Sequence, residues 1–125
     1  MICFGLKACG IKRKEAMNIK EAAENLGLDE SEYLEMLDLF FESGGNDLEG
    51  IELALKEGNA EKAHVASHSL KGSSGSLGLE SIFELAKAID DKDRQGILDG
   101  LDDLVKKLRR EYERLVETVK KFSAA

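Results

Sequence analysis

Proline is absent from all 125 residues, and apolar residues recur at intervals of three and four with almost no strict alternation of apolar and polar positions. Spacing of that kind keeps one face of an α-helix apolar, whereas a half-buried strand needs a period of two. The chain is therefore read as all-α. Leu34, Leu37, Phe41, Gly44, Leu48, Ile51 and Leu55 step by 3, 4, 3, 4, 3 and 4. The phase survives Gly44 and Gly45, which favours one long helix, kinked or straight, although each glycine costs roughly 1 kcal/mol relative to alanine. A second stripe, Ile97, Leu101, Leu104, Leu108, Tyr112, Leu115, Val119 and Phe122, defines the last helix, with charged residues on its other faces.

Stop and start signals divide the rest. Asn18 is placed to cap a short first helix, with Glu21 reaching back, and Gly27 ends it. Asp29 with Glu32 three residues on opens the long helix, Gly58 closes it and Asn59 caps the next. Long helices joined by connections of a few residues pack as antiparallel neighbours. The expected fold is an antiparallel up-down four-helix bundle with an additional short N-terminal helix, spanning residues 18–122. Residues 1–17 form an extension of open role: packed on the bundle, unstructured, or a leader ahead of a start at Met17.

Composition narrows the function. A single domain of this length, 42% hydrophobic, buries a core without metals or disulfides. Cys3 and Cys9 both lie in the first ten residues, outside the periodic region, and offer neither a staple nor a zinc spacing. The longest apolar run near the N-terminus is Met1 to Phe4, far short of a signal or membrane segment, so the expectation is a cytoplasmic protein. A net charge of −7 argues against nucleic acid as a partner, and the short basic run Lys12, Arg13, Lys14 reads as solvated tail.

One stretch does not read as scaffold: SHSLKGSSGSLGLE, Ser67 to Glu80. Projected on a helix, residues 59–77 place Ala63, Ala66, Leu70, Ser73, Ser74 and Leu77 toward the core. His64, His68, Lys71, Gly72 and Gly75 fall on the solvent side. From His64 to Leu79 the chain has no acidic residue, and Lys71 is its one full charge. Such a strip suits a group that must carry negative charge, or a partner with an acidic surface. An exposed imidazole is partly uncharged at neutral pH and takes a phosphoryl group on a ring nitrogen. A lysine at i+3 reaches the phosphoryl oxygens, and a glycine at i+4 removes a side chain that would hold a partner away. Ser73 and Ser74 are read as bonding to backbone one turn back.

Two other classes stay in view. His64 and His68, at i and i+4, match half of a zinc site, but no third ligand stands at a fitted spacing and HVASH lacks the glutamate of the H-E-x-x-H motif. An adaptor bundle that binds partners without carrying phosphate is the other. GGNDLEG lacks the lysine of a phosphate-binding loop, so no nucleotide site is expected.

The run His68, Leu70, Lys71, Gly72, Ser73, Ser74, Leu77, Gly78 resembles the signature H-x-L-K-G-S-S-x-x-L-G of histidine-containing phosphotransfer (HPt) domains, with similarity in helix order from about Asn18 to Phe122. The resemblance implies a phosphorelay intermediate, a phosphocarrier without kinase machinery. His68 would accept phosphate from a receiver-domain aspartate or a hybrid histidine kinase and pass it to another receiver. Lys71 would contact phosphoryl oxygens, Gly72 would give the partner clearance, and Gly78 would serve the turn into the next helix. It further implies a monomer with no cofactor of its own, the metal ion belonging to the receiver. Docking is expected on helices flanking His68, including the short first one, where Ile19, Ala22, Ala23 and Leu26 make an apolar face. Some relatives present a glutamine toward the imidazole from the next helix, where this chain has Asp90. That carboxylate either points away or tunes the phosphohistidine, with Arg94 one turn on to offset its charge.

Overall fold

The computed structural model describes residues 18–124, and the readings made on Cys3, Cys9, the Lys12–Lys14 run and the whole 1–17 extension lie outside them. Among the described residues there are five helices and no strand: α1 (Ile19–Asn25), α2 (Glu30–Glu57), α3 (Ala60–Ser76), α4 (Glu80–Arg94) and α5 (Leu101–Ala124). None is long and apolar enough to cross a membrane.

The ends form where the local chemistry dictates. Asn18 Oδ1 accepts from the Glu21 amide at 3.0 Å, and Asn59 Oδ1 accepts from the Lys62 amide at 3.0 Å. Asp29 and Glu32 form a reciprocal capping box, each side chain accepting from the other's backbone N–H. Gly58 and Gly78 take left-handed backbone, φ +67° and +72°, at the ends of α2 and α3, a conformation that costs any residue with a Cβ.

Helix α2 runs unbroken through Gly44 and Gly45, and its neighbours show why glycines stand there. A Cβ on Gly44 would lie 3.1 Å from the Phe40 ring and 3.4 Å from Leu70 of α3. A Cβ on Gly45 would lie 2.7 Å from the Tyr112 hydroxyl, which donates to the Phe41 carbonyl at 2.6 Å and ties α5 to α2. Close approach of three helices thus offsets the helix propensity that the glycines give up.

Helix α3 packs on α2 and α4, α4 on α5, and α5 back on α2, which closes a ring around the core; α1 lies against α2. Tyr33, Leu37, Leu48, Ile51, Leu70, Ile89, Leu101 and Leu108 are fully enclosed. Tyr33 donates to the Leu77 carbonyl at 2.8 Å and pins the start of α2 to the end of α3. Burial pushes its hydroxyl pKa up to about 12.

Two expectations are corrected. Helix α5 begins at Leu101, so Ile97 lies in the preceding connection, where Gly96 and Gly100 have positive φ, and it is 42% exposed. The apolar face of α1 is turned mostly to the core: Ile19 and Ala23 are buried in it, Ala22 packs against it, and Leu26 alone of the four is exposed.

Candidate functional site

The site is built by α3 and α4. The buried line of α3 is Ala63, Ser67, Leu70 and Ser74, so the helix is turned from the projected orientation: Ser67 is enclosed, while Ala66 and Ser73 are only half-buried. The apolar projection had no reason to bury Ser67. A polar layer from α4 does, for Ser67 Oγ donates to Asp93 Oδ2 at 3.0 Å. The turn leaves His68 exposed and brings His64 and Lys71 to the edge that faces α4. Ser73 and Ser74 donate to the Leu70 carbonyl at 3.2 and 2.7 Å, one turn back. Gly72 stands in the open, with nothing within 4 Å of where its Cβ would be, whereas Gly75, also on the surface, makes room for the Phe83 ring 3.1 Å away.

At the centre is Asp90, fully buried. Its Oδ1 accepts from His64 Nδ1 at 2.6 Å, and its Oδ2 accepts from His68 Nδ1 at 3.4 Å and from Lys71 Nζ at 3.3 Å. Burial pushes the Asp90 carboxyl up, but the hydrogen bonds from His64, Lys71 and His68, with the charge of His64, outweigh it and hold Asp90 below the usual carboxylate range. The group is thus an ionised acceptor, and each imidazole bonded to it carries its proton on Nδ1. On His68, 62% of whose side chain is exposed, this leaves the Nε2 lone pair directed away from Asp90. The His64 side chain is covered further, only 36% of it exposed, and the two ring centroids stand 5.7 Å apart.

Asp93, one turn beyond Asp90, is 4% exposed and has an oxygen, Oδ1, without a partner. Burial pushes its pKa up to about 6; the Ser67 hydrogen bond and the charge of His64 oppose the rise, and the charge of Asp90 adds to it.

Lys71 is not the free solvent-side cation the helical projection placed there, since three-quarters of its side chain is covered and it pairs with Asp90. Arg94 is exposed and does not figure among the partners of Asp90, a place taken by Lys71 and the two histidines. The acid-free strip in the sequence overlies two buried acids from the next helix. Asp93 was missed, although its position carries a signal: it continues the core phase of Ile82, Ala86 and Ile89 on α4, where a charged residue requires a partner.

Among the described residues no group of three or more His, Cys, Asp and Glu side chains is arranged to hold a metal ion. Zinc is expected to be absent in stoichiometric amount from purified protein by elemental analysis. Tight zinc whose removal lowers the melting temperature would overturn this.

A helical scaffold that offers one exposed imidazole, fixed at Nδ1 by a buried carboxylate and flanked by a lysine and an open glycine, has the parts of a phosphoryl carrier that works on the surface of another protein. The model of the Hpt domain family matches residues 35–118, well over half of the sequence, and the chain belongs to that family. The fold is shared with the crystal structure of histidine-containing phosphotransfer protein B (HptB) from Pseudomonas aeruginosa PAO1, at a TM-score of 0.74 and 22% identity, over 90% of this chain and 98% of that one. No curated protein matches the sequence. The chain is a histidine-phosphotransfer intermediate of phosphorelay signalling.

Proposed function

We propose that His68 carries the phosphoryl group, taken from a receiver-domain aspartyl phosphate or from a sensor kinase and passed to another receiver aspartate. The observation that carries the reading is the bond from His68 Nδ1 to Asp90, which leaves Nε2 as the free nucleophile on the exposed face. In the forward step the Nε2 lone pair attacks phosphorus, an N–P bond forms, the P–O bond to the aspartate breaks, and the receiver carboxylate leaves. The ring keeps its Nδ1 proton and gains positive charge, which Asp90 stabilises. The reverse step hands the group on. Donors from His64 and Lys71 share the charge of Asp90, so the carboxylate supports the ring with less repulsion of the incoming phosphoryl oxygens.

Lys71 then exchanges Asp90 for the phosphoryl oxygens, and Gly72 leaves the approach to His68 open. Val65, 63% exposed and one turn before His68, supplies apolar contact, with Leu39 and Met36 exposed on the neighbouring α2. The short connections 58–59 and 77–79 support an antiparallel, up-down course for α2 to α4 within a four-helix bundle. In this reading the protein is a cytoplasmic monomeric carrier with no cofactor or nucleotide site of its own, and the reaction's metal ion and catalytic groups belong to the receiver.

The test is incubation with a phosphorylated receiver and recovery of acid-labile, base-stable phosphate on this chain. Binding without label would favour the adaptor.

Two variants probe the surface. Gly72→Gln should impair receiver binding and transfer while gaining about 0.5–1 kcal/mol of stability, because its Cβ meets nothing and glycine is a poor helix former. Normal transfer together with lost stability would make Gly72 a packing residue. Lys71→Ala should slow transfer and also cost about 1–2 kcal/mol in denaturant unfolding, because it strips a donor from a buried carboxylate. Unchanged stability would mean that the Lys71–Asp90 pair contributes nothing to the fold.

A further inference from the structure

Asp90 is fully enclosed, and its orientation is set by the donors that reach it. Of the three, His64 makes much the shortest bond, 2.6 Å to Oδ1, against 3.4 Å from His68 and 3.3 Å from Lys71 to Oδ2. A carboxylate turns readily about its last side-chain bond, and a donor on one oxygen fixes where the other points. From these distances we infer that His64 is a positioning residue for phosphotransfer: by holding Asp90 Oδ1 it aims Oδ2 at His68 Nδ1 and thereby keeps the nucleophilic lone pair on His68 Nε2.

Two features of the cluster require such a group. Lys71 shares Oδ2 with His68, so the cation meant for the phosphoryl group is also one of the anchors of Asp90. When Lys71 turns to the phosphoryl oxygens, Asp90 keeps a fixed plane only if a donor remains on Oδ1. Asp93 is the other reason. It lies one turn along α4, raises no donor toward Asp90, and gives its bonded oxygen to Ser67, so it repels Asp90 and does not hold it. The groups facing His64 are thus Asp90, Asp93 and the His68 ring, and Asp90 is the one it bonds.

The inference rests on His68 as phosphoacceptor, and the experiment separates the two. In full-length protein carrying 15N-labelled histidine, ring-nitrogen correlations report the tautomer of His68 at mildly alkaline pH without any phosphorylation. Wild type should show the Nδ1–H form. His64→Leu, which removes the donor, should shift His68 toward the Nε2–H form that an unconstrained imidazole prefers. It should also slow labelling by a phosphorylated receiver about tenfold, the scale of one charge-assisted hydrogen bond. His64→Asn, whose amide nitrogen falls near the position of Nδ1, should restore both the tautomer and most of the rate. Should His64→Leu fail to fold, His64→Ala takes its place. An unchanged His68 tautomer and wild-type rate in the donor-less variant would overturn the inference, as would an asparagine variant that folds yet matches the leucine variant in both readouts. Absence of label from wild-type His68 would instead refute the acceptor reading, and with it any transfer role for His64, whatever the tautomers show.

Discussion

In His68→Gln, labelling by a phosphorylated receiver is expected to vanish, while His64→Gln should still take up phosphate, more slowly. Both imidazoles donate to Asp90, so contact with that carboxylate does not distinguish them. Their surroundings do. Lys71 and Gly72 stand three and four residues after His68, within one helical turn, but seven and eight after His64, two turns away and roughly 10 Å along the axis. A phosphoryl group on His64 would lie two turns from the open surface at Gly72, although Lys71 reaches the same carboxylate as His64. His64 is also the better covered of the two and is engaged in the short bond that orients Asp90. The His68 side chain is 62% exposed and its one bond, at 3.4 Å, is long, so its loss should leave stability within about 0.5 kcal/mol. Circular dichroism and thermal melting of His68→Gln should therefore match wild type, and absence of label cannot be ascribed to unfolding. Phosphate that survives base, is lost in acid and persists in His68→Gln would sink the assignment.

Much of the architecture was legible because it is local. Caps at Asn18, Asp29 and Asn59, the stop at Gly58 and the stripe from Leu34 to Leu55 depend on residues within one or two turns of each other. The stripe also held through Gly44 and Gly45, although what makes them necessary, the Phe40 ring and the Tyr112 hydroxyl, becomes visible only in three dimensions. The exposure of His68 and Gly72 could be read from helical projection. Their underside could not. Whether Asp90 points toward the imidazole depends on the rotation of α3 against α4, which the buried Ser67–Asp93 pair helps set, and a projection weighted by apolarity ignores both residues. The same blindness made Lys71 a free surface cation and gave Arg94 a role that falls to Lys71 and His64. On α1, an apolar face of four residues suits a docking surface or a lid on the core equally well, and the pattern within the helix does not say which.

Asp93→Asn is expected to stabilise the protein at neutral and alkaline pH and to do so less and less as the solution is acidified. The native Asp93 carboxyl titrates at about 6, raised chiefly by burial, while an unfolded aspartate titrates at about 3.9. Below about pH 4 both states hold the proton and the group contributes no difference. Between about pH 4 and 6 the native state retains a proton that the unfolded state has lost, so stability falls as pH rises through that window. Above it the full penalty applies, about 2 units at roughly 1.4 kcal/mol each, or up to about 3 kcal/mol. Asparagine is uncharged at every pH and still offers an oxygen to Ser67, which retains the one hydrogen bond Asp93 makes. Denaturant unfolding at about pH 4 and about pH 8 reads the difference between variant and wild type, in which carboxylates that do not interact with Asp93 cancel. Asp90 is coupled to Asp93, but its pKa is lowered in the native state, so the stability it contributes is lost on the acid side of this window. A gain of about 2–3 kcal/mol at the higher pH that shrinks toward zero at the lower one is the expected pattern. An equal effect at both would show that the fold does not raise the pKa of Asp93. The outcome bears on the site as well as on stability. Removing a negative charge one turn from Asp90 makes the potential around Lys71 less negative while leaving the Lys71–Asp90 pair itself intact, so a stabilised Asp93→Asn protein should release the lysine to an incoming phosphoryl group at least as readily as wild type and transfer no more slowly at the same pH.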